Sequence, residues 1–238
     1  MVNDAGVSDP DDGWVSAATV GRLPHYLRAL IDLASENEAS VSSDRLSELT
    51  AVNPATVRRD LASLDISGTR GLGYDVKYLV HEVSVVLGLS QDWAVAIIGA
   101  GNLGRALANH QGLSSRGFPV RAIVDVDPSL VGSDVAGLAV DHLDDLGAVV
   151  AERDVAVGVI ATPAEEAQHA ADLLIEAGVL SILNFTSTSL VVPDHVQVRR
   201  VDLATELQIL SFYQQRTAGA RSGAGVPLGV DPGLEVDA

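Results

Sequence analysis

Apolar residues along the chain recur first at helical spacing and later in short runs that alternate with helical segments. Residues 24–34 carry apolar side chains at three- and four-residue intervals, which predict a helix with Pro24 in its first turn. A short helix is expected from Ser42, because a serine pair and an aspartate precede its apolar positions. Residues 75–87 repeat the helical spacing, and Gly88 is expected to end that helix, which would link two domains.

A third helix in this region presents a basic face opposite an apolar one. It begins at Asn53-Pro54, with Asn53 as N-cap and Pro54 at the first helical position. At 100° per residue the apolar stripe holds Val57, Leu61 and Leu64. The opposite side and its flanks carry three small residues and two arginines, which are Ala55, Thr56, Arg58, Arg59 and Ala62. Such a face suits a helix that enters the major groove of DNA, and a solvated helix with surface arginines is the alternative.

Residues 67–74 follow as a glycine-punctuated hairpin tip that carries one arginine and one tyrosine. Three helices and a basic hairpin together predict a winged helix-turn-helix. The candidate DNA-binding residues from the third helix and the hairpin are Asn53, Ala55, Thr56, Arg58, Arg59, Arg70, Gly71 and Tyr74.

After residue 88 short apolar runs alternate with helical segments joined by short links. Strands are expected over 93–98, 120–125, 136–140, 155–160, 179–185 and 196–201, with helices over 142–151 and 163–177. This alternation predicts a doubly wound parallel sheet, so the overall fold class is α/β.

The first turn of this sheet carries a glycine-rich motif. Gly99-Ala100-Gly101-Asn102-Leu103-Gly104 follows the run that ends at Ile98, and Asp125 ends the next run. The first glycine permits a tight turn, the second lets the backbone approach a pyrophosphate, and the third allows close helix–strand packing. Asp125 is placed to accept hydrogen bonds from a ribose hydroxyl, which favours NAD(H) over NADP(H). A glycine-rich turn without a ligand is the alternative.

The last helix, expected over residues 202–215, is apolar on two sides. Leu203, Leu207 and Leu210 form one stripe, and Ile209, Phe212 and Tyr213 form another. Each apolar stripe of the helix needs a separate protein surface to bury it, so we expect this helix to pack across a subunit boundary. A core helix buried wholly within one chain is the alternative.

Composition narrows the class of protein. The net charge of −17 argues against general nucleic-acid binding and favours selective binding through a local basic surface. With no cysteine there is no disulfide, thiolate nucleophile or cysteine-based metal site, and neither a catalytic nor a metal site is predicted. No apolar run approaches the length of a membrane span and no signal peptide is evident, so a cytoplasmic location is expected.

The expected domain organisation follows from these patterns. Residues 1–18 are expected to be a disordered arm, and residues 19–88 a winged-helix DNA-binding domain. An NAD(H)-binding Rossmann domain follows over residues 89–201, and a dimerisation helix over 202–216. Residues 217–238 are expected to be a disordered tail.

Motifs in both domains resemble the Rex family of redox-sensing transcriptional repressors. The resemblance spans residues 24–213 and is carried by Val57-Arg-Arg-Asp-Leu61, Gly68-Thr-Arg-Gly-Leu-Gly-Tyr-Asp75, Gly101-Asn-Leu-Gly104, Ile182-Leu-Asn-Phe185 and Asp202-Leu-Ala-Thr-Glu-Leu-Gln208, among others. It implies a homodimer that binds an inverted-repeat operator and releases it when NADH binds, with the C-terminal helix swapped between subunits.

The resemblance also extends the candidate sites. It adds Ser43 to the DNA-binding set and implies further cofactor-binding residues Ala161, Thr162, Pro163, Asn184, Phe185 and, from the partner subunit, Leu203. In the family, an arginine, a tyrosine and an aspartate form an interdomain contact that switches with the ligand. Arg28 and Asp202 match two of these, and His110 stands where the family often has tyrosine. A bond from His110 to Asp202 would make the contact pH-dependent near neutrality.

Two other functions remain open at this point. An NAD-dependent oxidoreductase is the rival class, although the sequence offers no cysteine and no lysine besides Lys77. A DNA-binding regulator that senses another nucleotide is the third possibility.

Overall fold

The computed structural model describes residues 15–222, and the chain divides into two compact units between Asp92 and Trp93. This divide lies a few residues beyond the expected boundary at residue 88. Within the described part of the first unit, four helices accompany a small antiparallel sheet: α1 (Ala17–Ser35), β1 (Ser40–Val41), α2 (Ser43–Thr50), α3 (Pro54–Ala62), β2 (Tyr74–Asp75) and α4 (Val76–Val86).

The first helix starts earlier than the apolar pattern predicts. Ser16 caps α1, and its Oγ accepts a hydrogen bond from the Thr19 amide at 3.2 Å. Pro24 therefore lies inside the helix and not in its first turn. Ala17 and Ala18, expected in the disordered arm, are helical, whereas residues 1–14 lie outside the described part of the chain.

The helices of the first unit enclose one apolar core. Val57 and Leu61 of α3 are fully buried, which confirms the predicted stripe, and Leu64 lies half-buried beyond the end of the helix. The expected linker helix, α4, contributes to this core and contacts α1. Buried side chains from the other elements complete the core: Leu23, Tyr26, Leu30, Val41, Leu46, Ile66, Val76, Leu79 and Val83.

The second unit contains the predicted parallel sheet. Its strands are β3 (Ala94–Ile98), β4 (Val120–Asp125), β7 (Asp141–His142), β8 (Val155–Ile160), β9 (Ser181–Asn184) and β10 (Gln197–Arg200). All pairs are parallel, and the order across the sheet is β10-β9-β8-β3-β4-β7. This is the order of a Rossmann fold, with its topological switch point between β3 and β8.

One predicted strand is wrong. Residues 136–140 do not enter the parallel sheet, because Ala136 and Gly137 both have positive φ and turn the chain into a hairpin of β5 (Asp134–Val135) and β6 (Leu138–Ala139). The sheet strand β7 follows this hairpin. The next helix, α7 (Leu146–Glu152), begins after a 3-10 turn at Leu143–Asp145 and not at residue 142.

Further helices connect the strands and end the chain. They are α5 (Asn102–Ala108), α6 (Gln111–Ser114), α8 (Ala167–Glu176), preceded by a 3-10 turn at Ala164–Glu166, and α9 (Leu203–Ser222). α9 extends beyond residue 216 into the segment expected to be disordered, and residues 223–238 lie outside the described part. Among residues 15–222, no helix is both long and apolar enough to cross a membrane.

The apolar stripes of α9 are uncovered within the single chain. Leu203, Leu207 and Leu210 are exposed, as are the aromatic rings of Phe212 and Tyr213. The alternative of a helix buried wholly within one chain is therefore wrong. An exposed apolar surface of this kind is typical of an interaction site.

Candidate nucleotide and DNA sites

The exposed face of α3 combines the predicted arginines with small residues. Ala55, Arg58 and Arg59 are exposed and Thr56 is half-buried. Asn53 is committed to the helix end, because its Oδ1 accepts a hydrogen bond from the Ala55 amide at 2.8 Å. The capping bond thus fixes where the basic face begins.

The two arginines of α3 differ in their surroundings. Arg58 donates from Nη1 to Ser43 Oγ at 2.9 Å, which ties α3 to the start of α2. No hydrogen bond or ion pair engages the Arg59 side chain among the residues that the structure describes. The Arg59 guanidinium is therefore available to an external acceptor.

A buried carboxylate on α3, that of Asp60, was missed by the sequence analysis. Asp60 is 2% exposed. Arg22 donates to its two oxygens from Nε at 2.6 Å and Nη2 at 2.7 Å. Tyr26 Oη donates at 2.7 Å and Thr19 Oγ1 at 3.0 Å. The signal was present, since Asp60 adjoins Leu61 and follows Val57 by three positions on the apolar side of the helix.

These contacts set the protonation of the cluster. Burial alone would raise the pKa of Asp60, but the hydrogen bonds from Arg22, Tyr26 and Thr19 outweigh it and hold that pKa below the usual value. Burial, together with the bond to Asp60, raises the pKa of Tyr26. A carboxyl with a lowered pKa stabilises the fold above its usual pKa of about 3.9, and this stabilisation is lost as the pH falls through the lowered pKa.

The wing, which is the hairpin of residues 67–74, contains a tight turn closed between Thr69 and Gly73. The Thr69 amide donates to Gly73 O at 2.7 Å and the Gly73 amide donates to Thr69 O at 2.9 Å. Arg70 and Gly71 are exposed at the tip, and their contact with DNA stays a prediction. Tyr74 is half-buried, and a Cβ built on Gly68 would lie 3.1 Å from its ring. The Tyr74 ring therefore packs inside the wing and supports it.

The glycine-rich loop joins β3 to α5, and its glycines occupy distinct environments. A Cβ on Gly99 would lie 2.7 Å from Ala161 O, because the loop passes close to the end of β8. A Cβ on Gly104, which is buried, would overlap Gly99 O. A Cβ on Gly101 would meet no protein atom within 4 Å. Only Gly101 thus leaves its open side free for a ligand.

Asp125 lies at the end of β4, directly beside this loop. Its Oδ2 accepts a hydrogen bond from the Ala100 amide at 2.6 Å, and its Oδ1 accepts one from the Asp127 amide at 2.9 Å. The carbonyl oxygen of Ala100 is also engaged, because it accepts a hydrogen bond from Arg105 Nε at 2.8 Å. Arg105 was missed by the sequence analysis, because an arginine on a short helix carries no signal of where its side chain folds back.

The ends of β8 and β9 supply the other predicted cofactor residues. Ala161, Thr162 and Phe185 are half-buried, and Pro163 is exposed. Because β3 and β8 are neighbours at the switch point, these residues share the sheet edge at which the glycine-rich loop lies.

Asn184 at the end of β9 serves the neighbouring loop. It is 1% exposed. Its Nδ2 donates to Thr188 O at 2.9 Å, and its Oδ1 accepts from the Thr186 amide at 2.9 Å. Both ends of the carboxamide are therefore used to shape the loop after Phe185.

The proposed switch residues are divided between the units. Arg28 is exposed on α1, and His110 lines an open cleft of about 460 Å³ beside α6 in the second unit. Asp202 precedes α9 and accepts hydrogen bonds from the amides of Ala204 at 3.0 Å and Thr205 at 3.2 Å. The backbone hydrogen bond from Thr205 lowers the pKa of Asp202. The interdomain role of these residues stays a prediction.

Comparisons with known proteins match both units. Residues 14–62 match a family model described as a putative DNA-binding protein N-terminus, and residues 90–188 match a CoA binding domain. The redox-sensing transcriptional repressor Rex of Streptomyces griseus is 53% identical over 210 residues, which are 88% of this chain and 83% of that protein. The protein of the same name from Rubrobacter xylanophilus is 44% identical over 192 residues, covering 81% and 89%.

Solved structures agree. A crystal structure of RSP, a Rex-family repressor, superposes with a TM-score of 0.80 at 32% identity, covering 90% of this chain and 100% of that one. RSP in complex with beta-NADH gives a TM-score of 0.79 at 32% identity, covering 89% and 99%. RSP with beta-NAD+ and operator DNA gives 0.80 at 32% identity, covering 90% and 100%. The similarity therefore extends over the basic surface and the glycine-rich loop alike.

Proposed function

The chain belongs to the Rex family of redox-sensing transcriptional repressors. We propose that its first unit binds an inverted-repeat operator, and that the protein releases this operator when NADH binds to its second unit. The observation that carries this proposal is the presence in one chain of an unpaired Arg59 on α3 and an open glycine, Gly101, beside Asp125. The first suits a phosphate or guanine edge, and the second suits a dinucleotide. We propose that the protein acts in the cytoplasm, as its named relatives are transcriptional repressors.

The preference for NADH over NAD+ is proposed to come from the residues around the nicotinamide. Ala161, Pro163, Phe185 and the partner subunit's Leu203 offer apolar surface, and NAD+ carries a positive charge on its ring. Burying a charge without a counterion is costly, so such a surface favours the neutral reduced ring. Asp125 is proposed to bind the adenine ribose hydroxyls after exchanging its bond with the Ala100 amide.

A homodimer is proposed on the exposed face of α9. Leu203 is 64% exposed in the single chain, and more than half of the surface of Leu207, Leu210 and Phe212 is exposed as well. Exchange of α9 between two copies would cover both apolar stripes. A dimer with twofold symmetry would also place two α3 helices against the two halves of an inverted repeat.

A regulator without turnover is proposed over an NAD-dependent oxidoreductase. The sequence contains no cysteine, and its one lysine, Lys77, lies in the first unit. The relatives are named repressors. Allosteric release requires only that NADH bind the two states of the dimer with different affinities.

The proposal is tested by titrating an inverted-repeat operator with the full-length protein, with and without saturating NADH. We expect NADH to weaken operator binding by about 5- to 150-fold, the usual range of allosteric coupling. Operator should weaken NADH binding by the same factor, and NAD+ should have the smaller effect. Equal operator affinity with and without NADH would contradict the proposal, and a response only to another nucleotide would identify a different ligand.

Arg59 is expected to contact the operator directly. Arg59→Ala should weaken operator binding by about 1–3 kcal/mol per half-site and leave NADH affinity unchanged. Arg116→Ala, which removes an equal charge from an exposed position of the second unit, is the matched control. Fluorescence anisotropy over a series of salt concentrations measures both variants. If they bind operator equally well, Arg59 does not lie in the interface.

A further inference from the structure

The attachment of the recognition helix α3 to α1 has an apolar part and a polar part. Val57 and Leu61 of α3 bury apolar side chains, a contact that stabilises but has little directional preference. Asp60 adds hydrogen bonds of defined geometry, and Arg22 meets its two oxygens with two nitrogens of one planar group. The apolar stripe selects the side of α3 that is buried, and the polar part fixes the rotation of α3 about its own axis more narrowly.

All the donors to this carboxylate come from one helix. Thr19, Arg22 and Tyr26 lie on one side of α1, at spacings of three and four residues. Asp60 directly follows Arg59, so any rotation that displaces its carboxylate from α1 also turns the Arg59 side chain away from its present direction. A rotated α3 would moreover bring a negative charge toward the face that carries Arg58.

We propose that the cluster of Thr19, Arg22, Tyr26 and Asp60 positions the recognition helix for operator binding. It holds α3 at the rotation that presents Arg58 and Arg59 outward, and it keeps the Asp60 carboxylate away from the DNA phosphates. These are positioning residues, since none of them is assigned a contact with DNA. The inference rests on the proposed function, because it assumes that α3 enters the operator groove.

Arg22→Met tests this proposal, because it keeps an unbranched side chain of similar length and removes all the guanidinium bonds. Leu79→Ala is the matched control, since Leu79 is fully buried in α4 of the same core but belongs to neither α1 nor α3. Both variants should be less stable than the parent. At a temperature where circular dichroism shows each to be folded, Arg22→Met should lose operator affinity by about tenfold or more, as when one base contact per half-site is misaligned. Leu79→Ala should keep the parental affinity.

NADH affinity and the conservative variant complete the test. NADH binding in the second unit should be unchanged in both variants. Arg22→Lys, which keeps the charge but loses the two-pronged geometry, should restore operator affinity only in part. Equal operator affinity in Arg22→Met and the parent, or equal losses in Arg22→Met and Leu79→Ala, would overturn the positioning role.

A milder variant decides the question if Arg22→Met fails to fold. Tyr26→Phe keeps the buried ring and removes only the 2.7 Å bond to Asp60. It should weaken operator binding without changing NADH affinity, and parental operator affinity would then refute the proposal. Failure of the parent protein itself to bind operator would instead refute the proposed function, so the two failures remain distinguishable.

Discussion

Replacing Gly73 by alanine is expected to abolish specific operator binding. Gly73 has a φ of +88°, and a Cβ built there would overlap Val41 O and lie 2.9 Å from Val41 C and 3.2 Å from Ser42 Cα. The overlapping atoms belong to the backbone of β1 and the residue after it, so no side-chain rotation relieves the overlap. The β1–β2 pairing must open, and the wing that carries Arg70 must move with it.

Gly137→Ala separates this effect from backbone strain. Gly137 has a φ of +80°, in the turn of the β5–β6 hairpin, and a Cβ there would meet nothing within 4 Å. Both variants carry the penalty of a left-handed alanine, about 1–2 kcal/mol, but only Gly73→Ala also disrupts strand pairing. Thermal unfolding and operator anisotropy should show a modest loss of stability in Gly137→Ala with parental operator affinity. Parental operator affinity in Gly73→Ala would show that the wing is dispensable.

The recognition helix was predictable because its signals are local. Asn53 and Pro54 specify its start, and the spacing of Val57 and Leu61 specifies the buried side. The start of α1 was not, because residues 17–23 are mostly small or polar and the apolar pattern strengthens only after Pro24. Ser16 caps the helix despite that weakness, and α1 continues through Pro24 although the proline costs a hydrogen bond and a steric clash.

The partnering of buried charges lay beyond the sequence analysis. The pairing of Asp60 with Arg22 joins residues 38 positions apart, and the spacing within either helix does not specify its partner on the other. The hairpin at Ala136 was missed for a related reason. Its apolar run resembles a strand, and only the positive φ of Ala136 and Gly137 reveals the reversal. A tertiary contact decides the first case and the backbone dihedrals decide the second, and the spacing of apolar residues specifies neither.

The structure of the glycine-rich loop, by contrast, agrees closely with its motif, since each glycine lacks a side chain for a separate steric reason. Gly99 passes the end of β8 and Gly104 packs against Gly99 itself. These two demands arise within the protein and exist without a ligand. Gly101 has no such internal reason to lack a side chain, which leaves the approach of a ligand as the reason for a glycine at that position.

Gly101→Ala is therefore expected to weaken the response to NADH strongly while leaving the free protein intact. Gly101 has a φ of −71° and a ψ of −167°, a conformation that alanine adopts without strain, and the added methyl meets no protein atom within 4 Å. Stability and operator binding should equal those of the parent. NADH affinity should fall by about tenfold to hundredfold, because each lost amide–phosphate hydrogen bond contributes about 1.5–3 kcal/mol.

Gly104→Ala provides the contrast. Its methyl would overlap Gly99 O, so the start of α5 must shift whether or not NADH is present. We expect this variant to lose both thermal stability and NADH binding, whereas Gly101→Ala loses only the latter. Calorimetric NADH titrations and thermal melts of the two variants measure this difference. Release of operator by NADH at the parental midpoint in Gly101→Ala would mean that the pyrophosphate does not approach the chain at Gly101.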